Sequence, residues 1–68
     1  MTVGSKVKQT LATLHGIEST LGIYSSNEIN ENFKIALKDA LETTEQVIKD
    51  VENRLKTIEL QEPQYKGN

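Results

Sequence analysis

Residues 37–58 read LKDALETTEQVIKDVENRLKTI, and this stretch decides the fold. Its apolar side chains recur alternately four and three residues apart, which is the spacing of an α-helix that packs against another helix. One row of the stripe consists of Leu37, Thr44, Val51 and Ile58, and the other consists of Leu41, Ile48 and Leu55. Phe33, Ala40 and Val47 broaden the stripe on one side. The pattern predicts a long amphipathic helix.

The stretch before it repeats the same spacing. Val7, Leu14 and Leu21 take one core position, and Val3, Thr10, Ile17 and Tyr24 take the other. Leu11 widens this stripe, as is typical of a helix in a bundle. A shorter amphipathic helix is therefore predicted here. Because no stretch of the sequence shows the two-residue alternation of a strand, the predicted fold class is all-α.

Turn and cap signals set the predicted boundaries. Ser25 followed by Glu28 fits a capping box between the two helices, and Asn27 is a competing cap. Pro63 ends the second helix, because the residue before a proline is pushed out of helical geometry. These signals predict a hairpin domain at 1–62, with helices at about 3–24 and about 27–61, and a C-terminal tail at 63–68.

A short connection makes the two helices antiparallel neighbours. At about 1.5 Å per residue, the first helix would be roughly 30 Å long and the second nearer 50 Å. Val51, Leu55 and Ile58 would then extend past the first helix into water. Closed two-fold dimers are the commonest oligomers, so we predict that a homodimer covers them and forms a four-helix bundle. A stripe reserved for a different protein is the alternative.

The predicted interface consists of apolar residues from both stripes. They are Val7, Leu14, Leu21, Leu37, Leu41, Ile48, Val51, Leu55 and Ile58. Burying one such side chain contributes about 1.5–3 kcal/mol, so a surface of this kind is expected to be covered. The tail adds a docking residue, Tyr65, because a tyrosine can cover the end of a bundle or bind a partner.

Composition narrows the function further. The 68-residue chain has no cysteine and one histidine, His15, so a disulfide or a thiolate metal site is excluded. A net charge of −2 gives no electrostatic attraction to nucleic acid. No apolar run reaches the roughly 18–20 residues of a membrane span, and the first residues lack the apolar region of a signal peptide. These features predict a cytoplasmic protein.

Catalytic residues are not expected. The chain lacks the combination of nucleophile, base and orienting group that a hydrolytic site needs. It also lacks a glycine-rich phosphate loop and a dinucleotide fingerprint, and neither a cofactor nor a metal is predicted. The carboxylates of the long helix fall mostly outside its stripe and are expected to face solvent. The alternative function is a stand-alone bundle that binds a small ligand or a metal through these carboxylates.

Both ends of the chain resemble a known family. Residues 1–14, MTVGSKVKQTLATL, and residues 62–67, EPQYKG, are similar to the ends of DUF1657 proteins. The resemblance covers essentially the whole length, with the middle similar in pattern more than in identity. His15 and Ile17 stand where the family usually has lysine and alanine. The family has no established catalytic residues, so the resemblance implies none in this chain.

The resemblance also implies a context and a partner. Members of the family are small proteins of spore-forming Firmicutes such as bacilli, often encoded beside genes for spore inner-membrane channels of the SpoVA type. The resemblance therefore implies a non-enzymatic protein that self-associates and contacts a spore membrane complex in sporulation, resistance or germination. The implied location is the forespore or spore, peripheral to the inner membrane.

Overall fold

The computed structural model describes residues 3–61, with side chains for residues 3–60. Two helices occupy this range: α1 is Val3–Asn27 and α2 is Glu31–Gln61. No strand is present within it, which confirms the predicted all-α class. The predicted tail at 63–68, with Tyr65, lies outside the described residues.

A three-residue linker, residues 28–30, joins the helices. The Asn30 side-chain oxygen accepts a hydrogen bond from the Phe33 N–H at 2.9 Å, so Asn30 caps α2. One oxygen of the Glu28 carboxylate accepts the N–H groups of Ile29 and Asn30, at 3.1 and 3.0 Å. Glu31 then places a negative charge in the first turn of α2, where the helix dipole favours it.

The predicted helix boundaries at the turn were wrong by three to four residues. Ser25 and Asn27, the predicted caps, lie inside α1, which continues to Asn27 instead of ending near Tyr24. Ser25 is only 6% exposed, so the additional turn of α1 is held by packing against its neighbour. The second helix begins at Glu31 instead of near Asn27, because Asn30 supplies the cap.

The helices pack side by side in an antiparallel hairpin. The described part of the chain measures 48 × 16 × 11 Å, and its long dimension is close to the roughly 46 Å expected for the 31 residues of α2 alone. Lys8 near the start of α1 lies beside Glu59 near the end of α2, with 3.6 Å between Nζ and Oε2. The predicted hairpin is therefore what the chain forms.

The contact between the helices, here called the seam, follows a heptad pattern in both. In α2 the half-buried or buried residues in the two seam rows are Lys34, Leu37, Leu41, Thr44, Ile48, Val51, Leu55 and Ile58. In α1 they are Gly4, Val7, Leu11, Leu14, Glu18, Leu21 and Ser25. Ser5, Gly22 and Glu59 are half-buried beside these rows. The second row of α1 thus differs from the predicted row of Val3, Thr10, Ile17 and Tyr24, whose members are exposed. The row that faces α2 includes two small residues, Gly4 and Ser25, and both are buried.

The predicted overhang of α2 was also wrong. Val51, Leu55 and Ile58 are half-buried, because α1 reaches nearly to the far end of α2. The α1 helix has 25 residues and is about 37 Å long, which is longer than predicted. The seam nevertheless buries few apolar side chains. Within residues 3–60, the apolar side chains counted as buried are Leu37 at 9% exposure and Ile48 at 6%.

Candidate association surface

One side of the hairpin carries no charge over most of its length. We call this surface the uncharged flank. It consists of two heptad rows in each helix, which lie next to each other on one side of the seam. Every one of its ten residues is exposed. They are Thr10, Thr13, Ile17, Thr20, Tyr24, Phe33, Ala36, Ala40, Thr43 and Val47. Charges appear in these rows only towards the open end of the hairpin, at Lys6, Asp50 and Arg54.

The α1 and α2 parts of the uncharged flank lie on the same face. Tyr24 and Phe33 line one shallow cavity next to the linker, together with Leu37 of the seam. In an antiparallel helix pair, positions that flank the seam on the same side meet across it. The exposed row of α1 and the exposed row of α2 therefore form one continuous surface.

The opposite flank is charged. Lys8 and Glu59 pair across it, which shows that the other flanking rows of the two helices also meet. His15 lies in the same row as Lys8, and its Nδ1 is 3.1 Å from Glu18 Oε1. Further charged residues of α2 on this side and on the back are Lys38, Asp39, Glu42, Glu45, Lys49, Glu52 and Lys56. The hairpin is thus polar on one flank and uncharged on the other.

Large apolar side chains on the uncharged flank are unusually exposed. Tyr24 is 59% exposed and Phe33 is 54% exposed, and Ile17 and Val47 are also exposed. Single exposed hydrophobic residues are normal on protein surfaces, but a contiguous group of them marks an interaction site. The flank is therefore the candidate functional site of the described chain.

Two of the four threonines of this flank have their hydroxyl groups paired within α1. The Thr10 hydroxyl donates to the Lys6 carbonyl at 3.1 Å, and the Thr13 hydroxyl donates to the Gln9 carbonyl at 3.2 Å. Because these two hydroxyls already have an acceptor within their own helix, covering them leaves neither donor unpaired.

The nine predicted interface residues share one location in the single hairpin, and their role in an interface between chains stays a prediction. All of them lie in the seam, where the two helices of one chain cover each other at least in part. The surface that sequence reasoning did not single out is the uncharged flank. Its signals were present, because Phe33, Ala40 and Val47 broaden the predicted stripe and Ile17 and Tyr24 form an apolar row on α1. The sequence pattern predicted these residues to lie in the core between helices instead of on an exposed surface.

Metal binding through carboxylates finds no support in the described part of the chain. Among these residues, no group of three His, Cys, Asp or Glu side chains is placed to hold a metal ion. The open groove near the end of α2 is lined by Asp50, Asn53, Arg54, Thr57 and Ile58, and its charged groups are of both signs. Neither α1 nor α2 combines the length and the hydropathy that crossing a membrane requires.

Fold and surface together define an all-α, two-helix hairpin with one uncharged flank. The sequence model of the DUF1657 family, described as a protein of unknown function, matches residues 7–55. Since this match includes the linker and most of both helices, the chain belongs to the DUF1657 family. Neither the curated proteins nor the solved structures include a significant match.

Proposed function

We propose that this protein acts without catalysis, by self-association and protein–protein contact through its uncharged flank. Two hairpins pack flank against flank and form a four-helix bundle. The observation that carries the proposal is the continuous exposed surface that runs from Thr10 to Tyr24 on α1 and from Phe33 to Val47 on α2. Symmetric dimers are the commonest oligomers, and a two-fold axis brings this surface against its own copy.

Energetics support a dimer over an isolated hairpin. The seam buries few side chains, and chains of this size commonly gain stability from oligomerisation. Burying a fully exposed Ile, Val or Phe side chain contributes about 1.5–3 kcal/mol, and the side chains of this flank, which are 40–54% exposed, would contribute roughly half of that each. Ile17, Phe33 and Val47 from each copy would all contribute at such an interface. The charged flank stays in water, so the bundle gains apolar contacts without burying unpaired charges.

The proposal extends to a cellular context that the family resemblance supports. In this context the dimer associates with a spore membrane complex of the SpoVA type, from the cytoplasmic side of the forespore or spore inner membrane. Affinity capture from sporulating cells with the intact chain should recover a component of that complex. Capture that recovers none of its components would contradict this part of the proposal and leave self-association standing.

Sedimentation equilibrium tests self-association directly. The wild-type chain should sediment as a dimer at micromolar concentration. Val47→Glu places a charge in the uncharged flank and should weaken the dimer by at least about tenfold, which corresponds to about 1.4 kcal/mol. Gln46→Glu is the matched control, because it adds the same charge at the neighbouring exposed position on the back of α2. This control should remain a dimer.

Two results would overturn the dimer. One is a folded wild-type monomer across the micromolar range. The other is equal weakening by Val47→Glu and Gln46→Glu, since a general effect of charge would then explain the loss. Circular dichroism of both variants should show unchanged helix content, because both positions are exposed in the hairpin.

A further inference from the structure

The two ends of the uncharged flank carry opposite charges. Glu28 lies at the linker end, where it lines the same shallow cavity as Phe33. Lys6 lies at the open end, in one of the flank's own rows of α1. Asp50 and Arg54 lie at the open end of α2, and their charges cancel, so Lys6 leaves this end with a net positive charge. The flank is therefore negative at one end and positive at the other.

Neither of these two charges is neutralised by an ion pair within the hairpin. One oxygen of the Glu28 carboxylate accepts the N–H groups of Ile29 and Asn30, which holds the carboxylate at the linker. Within residues 3–60, neither Glu28 nor Lys6 has an oppositely charged side-chain group within 4.0 Å. Both groups are therefore available to a charge of opposite sign on a second copy of the chain.

The uncharged rows of α1 define how far two copies can overlap. They run from Thr10 to Tyr24, and Ile17 lies midway between these two residues. Two antiparallel copies related by a two-fold axis at Ile17 therefore cover each other's rows over their full length. Ile17 is also midway between Lys6 and Glu28. The register that covers the uncharged rows of α1 thus places the positive end of one copy opposite the negative end of the other.

A parallel arrangement would lack this match. Its two-fold axis runs along the hairpins, so both linkers lie at the same end and the two Glu28 carboxylates are brought together. At the other end, α1 lies against α2 of the second copy, and Lys6 faces Asp50 and Arg54 of the partner subunit, whose charges cancel. Apolar contacts are non-directional and do not distinguish the two orientations. Charged groups do, because juxtaposed like charges disfavour the wrong pairing.

We propose that two copies associate antiparallel, with Lys6 of each chain paired to Glu28 of the partner subunit. The inference rests on the proposed dimer through the uncharged flank and specifies its orientation. The α1 helices then pack on each other, as do the α2 helices. Because a two-fold interface repeats every contact, the pair forms once at each end of the bundle. The apolar side chains of the flank supply the affinity, and the two end pairs set the orientation.

Distances between spin labels measure the orientation directly. The chain has no cysteine, so Ile29→Cys gives one label site per copy in the linker, where Ile29 is 93% exposed. At 1.5 Å per residue, residue 29 lies about 18 Å from the level of Ile17, so the labels of an antiparallel dimer should lie at least about 36 Å apart. In a parallel dimer the linkers are neighbours, and helix axes about 8–10 Å apart would bring the labels within about 25 Å.

Leu60→Cys supplies the matched control for the label measurement. Leu60 is 83% exposed at the opposite end of the hairpin, which the antiparallel arrangement brings beside the linker of the second copy. Double electron–electron resonance should therefore give long distances for Ile29→Cys alone and for Leu60→Cys alone. A one-to-one mixture of the two labelled variants, left to exchange subunits, should add a short distance. A parallel dimer would reverse this result.

Charge substitutions test the end pair by sedimentation equilibrium. Lys6→Glu should weaken the dimer at least about fivefold, because it places like charges at both ends of the bundle. Lys38→Glu is the matched control, since Lys38 is exposed outside the uncharged flank and the change in net charge is the same. Glu28→Gln removes the charge but keeps an oxygen that can accept the linker N–H groups. It should weaken an antiparallel dimer, whereas it would strengthen a parallel one.

The outcomes separate orientation from association. A wild-type chain that sediments as a monomer contradicts the proposed function and this inference with it. A dimer in which the Ile29→Cys labels lie close together contradicts the antiparallel orientation alone. A dimer that Lys6→Glu and Lys38→Glu weaken equally contradicts the end pair. In the Glu28→Gln background, Lys6→Glu should have no larger effect than Lys38→Glu, because the carboxylate that Lys6 faces is gone.

Discussion

Asn30 begins α2 through a single side-chain hydrogen bond. Its oxygen accepts the Phe33 N–H, one of the donors that the first turn of a helix leaves unpaired. Replacing such a cap by alanine costs about 1 kcal/mol. Asn30→Ala should therefore lower the free energy of unfolding by about that amount in urea titrations followed by circular dichroism.

Asn27→Ala is the matched control for the cap. Asn27 is the last residue of α1, is exposed, and makes no capping bond to α2. Its replacement should change the free energy of unfolding by less than about 0.5 kcal/mol, as expected for a surface substitution. A larger loss of unfolding free energy in Asn27→Ala than in Asn30→Ala would indicate that Asn27 is the cap of α2, as the sequence predicted.

The sequence could not decide between these caps. Ser25, Asn27 and Asn30 are all residues that favour a cap, and they lie within six positions of one another. Their capping energies differ by only a few tenths of a kcal/mol. Ser25 is buried against α2 and so belongs to α1, and that burial depends on how the two helices pack. Local capping energies that differ by so little do not predict the packing.

At the scale of the helices, α2 was predictable and the seam of α1 was only partly so. Both rows of the α2 stripe are made of branched apolar residues apart from Thr44, whose hydroxyl bonds to the Ala40 carbonyl at 2.8 Å. In α1 the two candidate rows compete, and the exposed one is the more apolar. Hydropathy therefore predicts that the row of Ile17 and Tyr24 faces α2, whereas the row that contains Leu11 faces it in the structure.

Paired truncations test which row of α1 faces α2. Measured in the Val47→Glu variant at a concentration where it sediments as a monomer, Leu11→Ala should lower the free energy of unfolding by about 1–2 kcal/mol. Half-buried side chains lose only part of the roughly 2–5 kcal/mol typical of a full core truncation. Ile17→Ala should cost less than about 0.5 kcal/mol there. Urea titrations in which Ile17→Ala costs more would contradict the observed seam.

For the whole molecule, the need for a partner was inferred from unequal helix lengths. That inference depended on helix ends, and an error of three or four residues moves each end by about 5 Å. The structure removes the overhang at Val51, Leu55 and Ile58 and exposes the uncharged flank instead. The argument from an overhang no longer supports the predicted interface, because the overhang was derived from those boundaries; the interface itself stays a prediction.

Dimerisation also predicts how heat stability depends on concentration. A protein that gains stability from its own copy should show a Tm that rises with protein concentration. The wild-type chain should show this rise over a hundredfold range of concentration, and Gln46→Glu should follow it. Val47→Glu, whose dimer is expected to be at least about tenfold weaker, should show a lower Tm than the wild type at each concentration. A constant Tm for the wild type, measured by circular dichroism, would exclude a dimer that stabilises the fold.

The three-residue linker sets an order in which the hairpin assembles. Contacts beside the linker close the smallest loops and lose the least chain entropy, whereas the Lys8–Glu59 contact closes the largest. Pairing of the helices therefore starts at the turn and ends at the open end. Separation runs in the reverse direction, because the contacts beside the linker are re-formed fastest. The two helices accordingly come apart first where Lys8 and Glu59 meet, and the end that carries Ile29 stays closed longest.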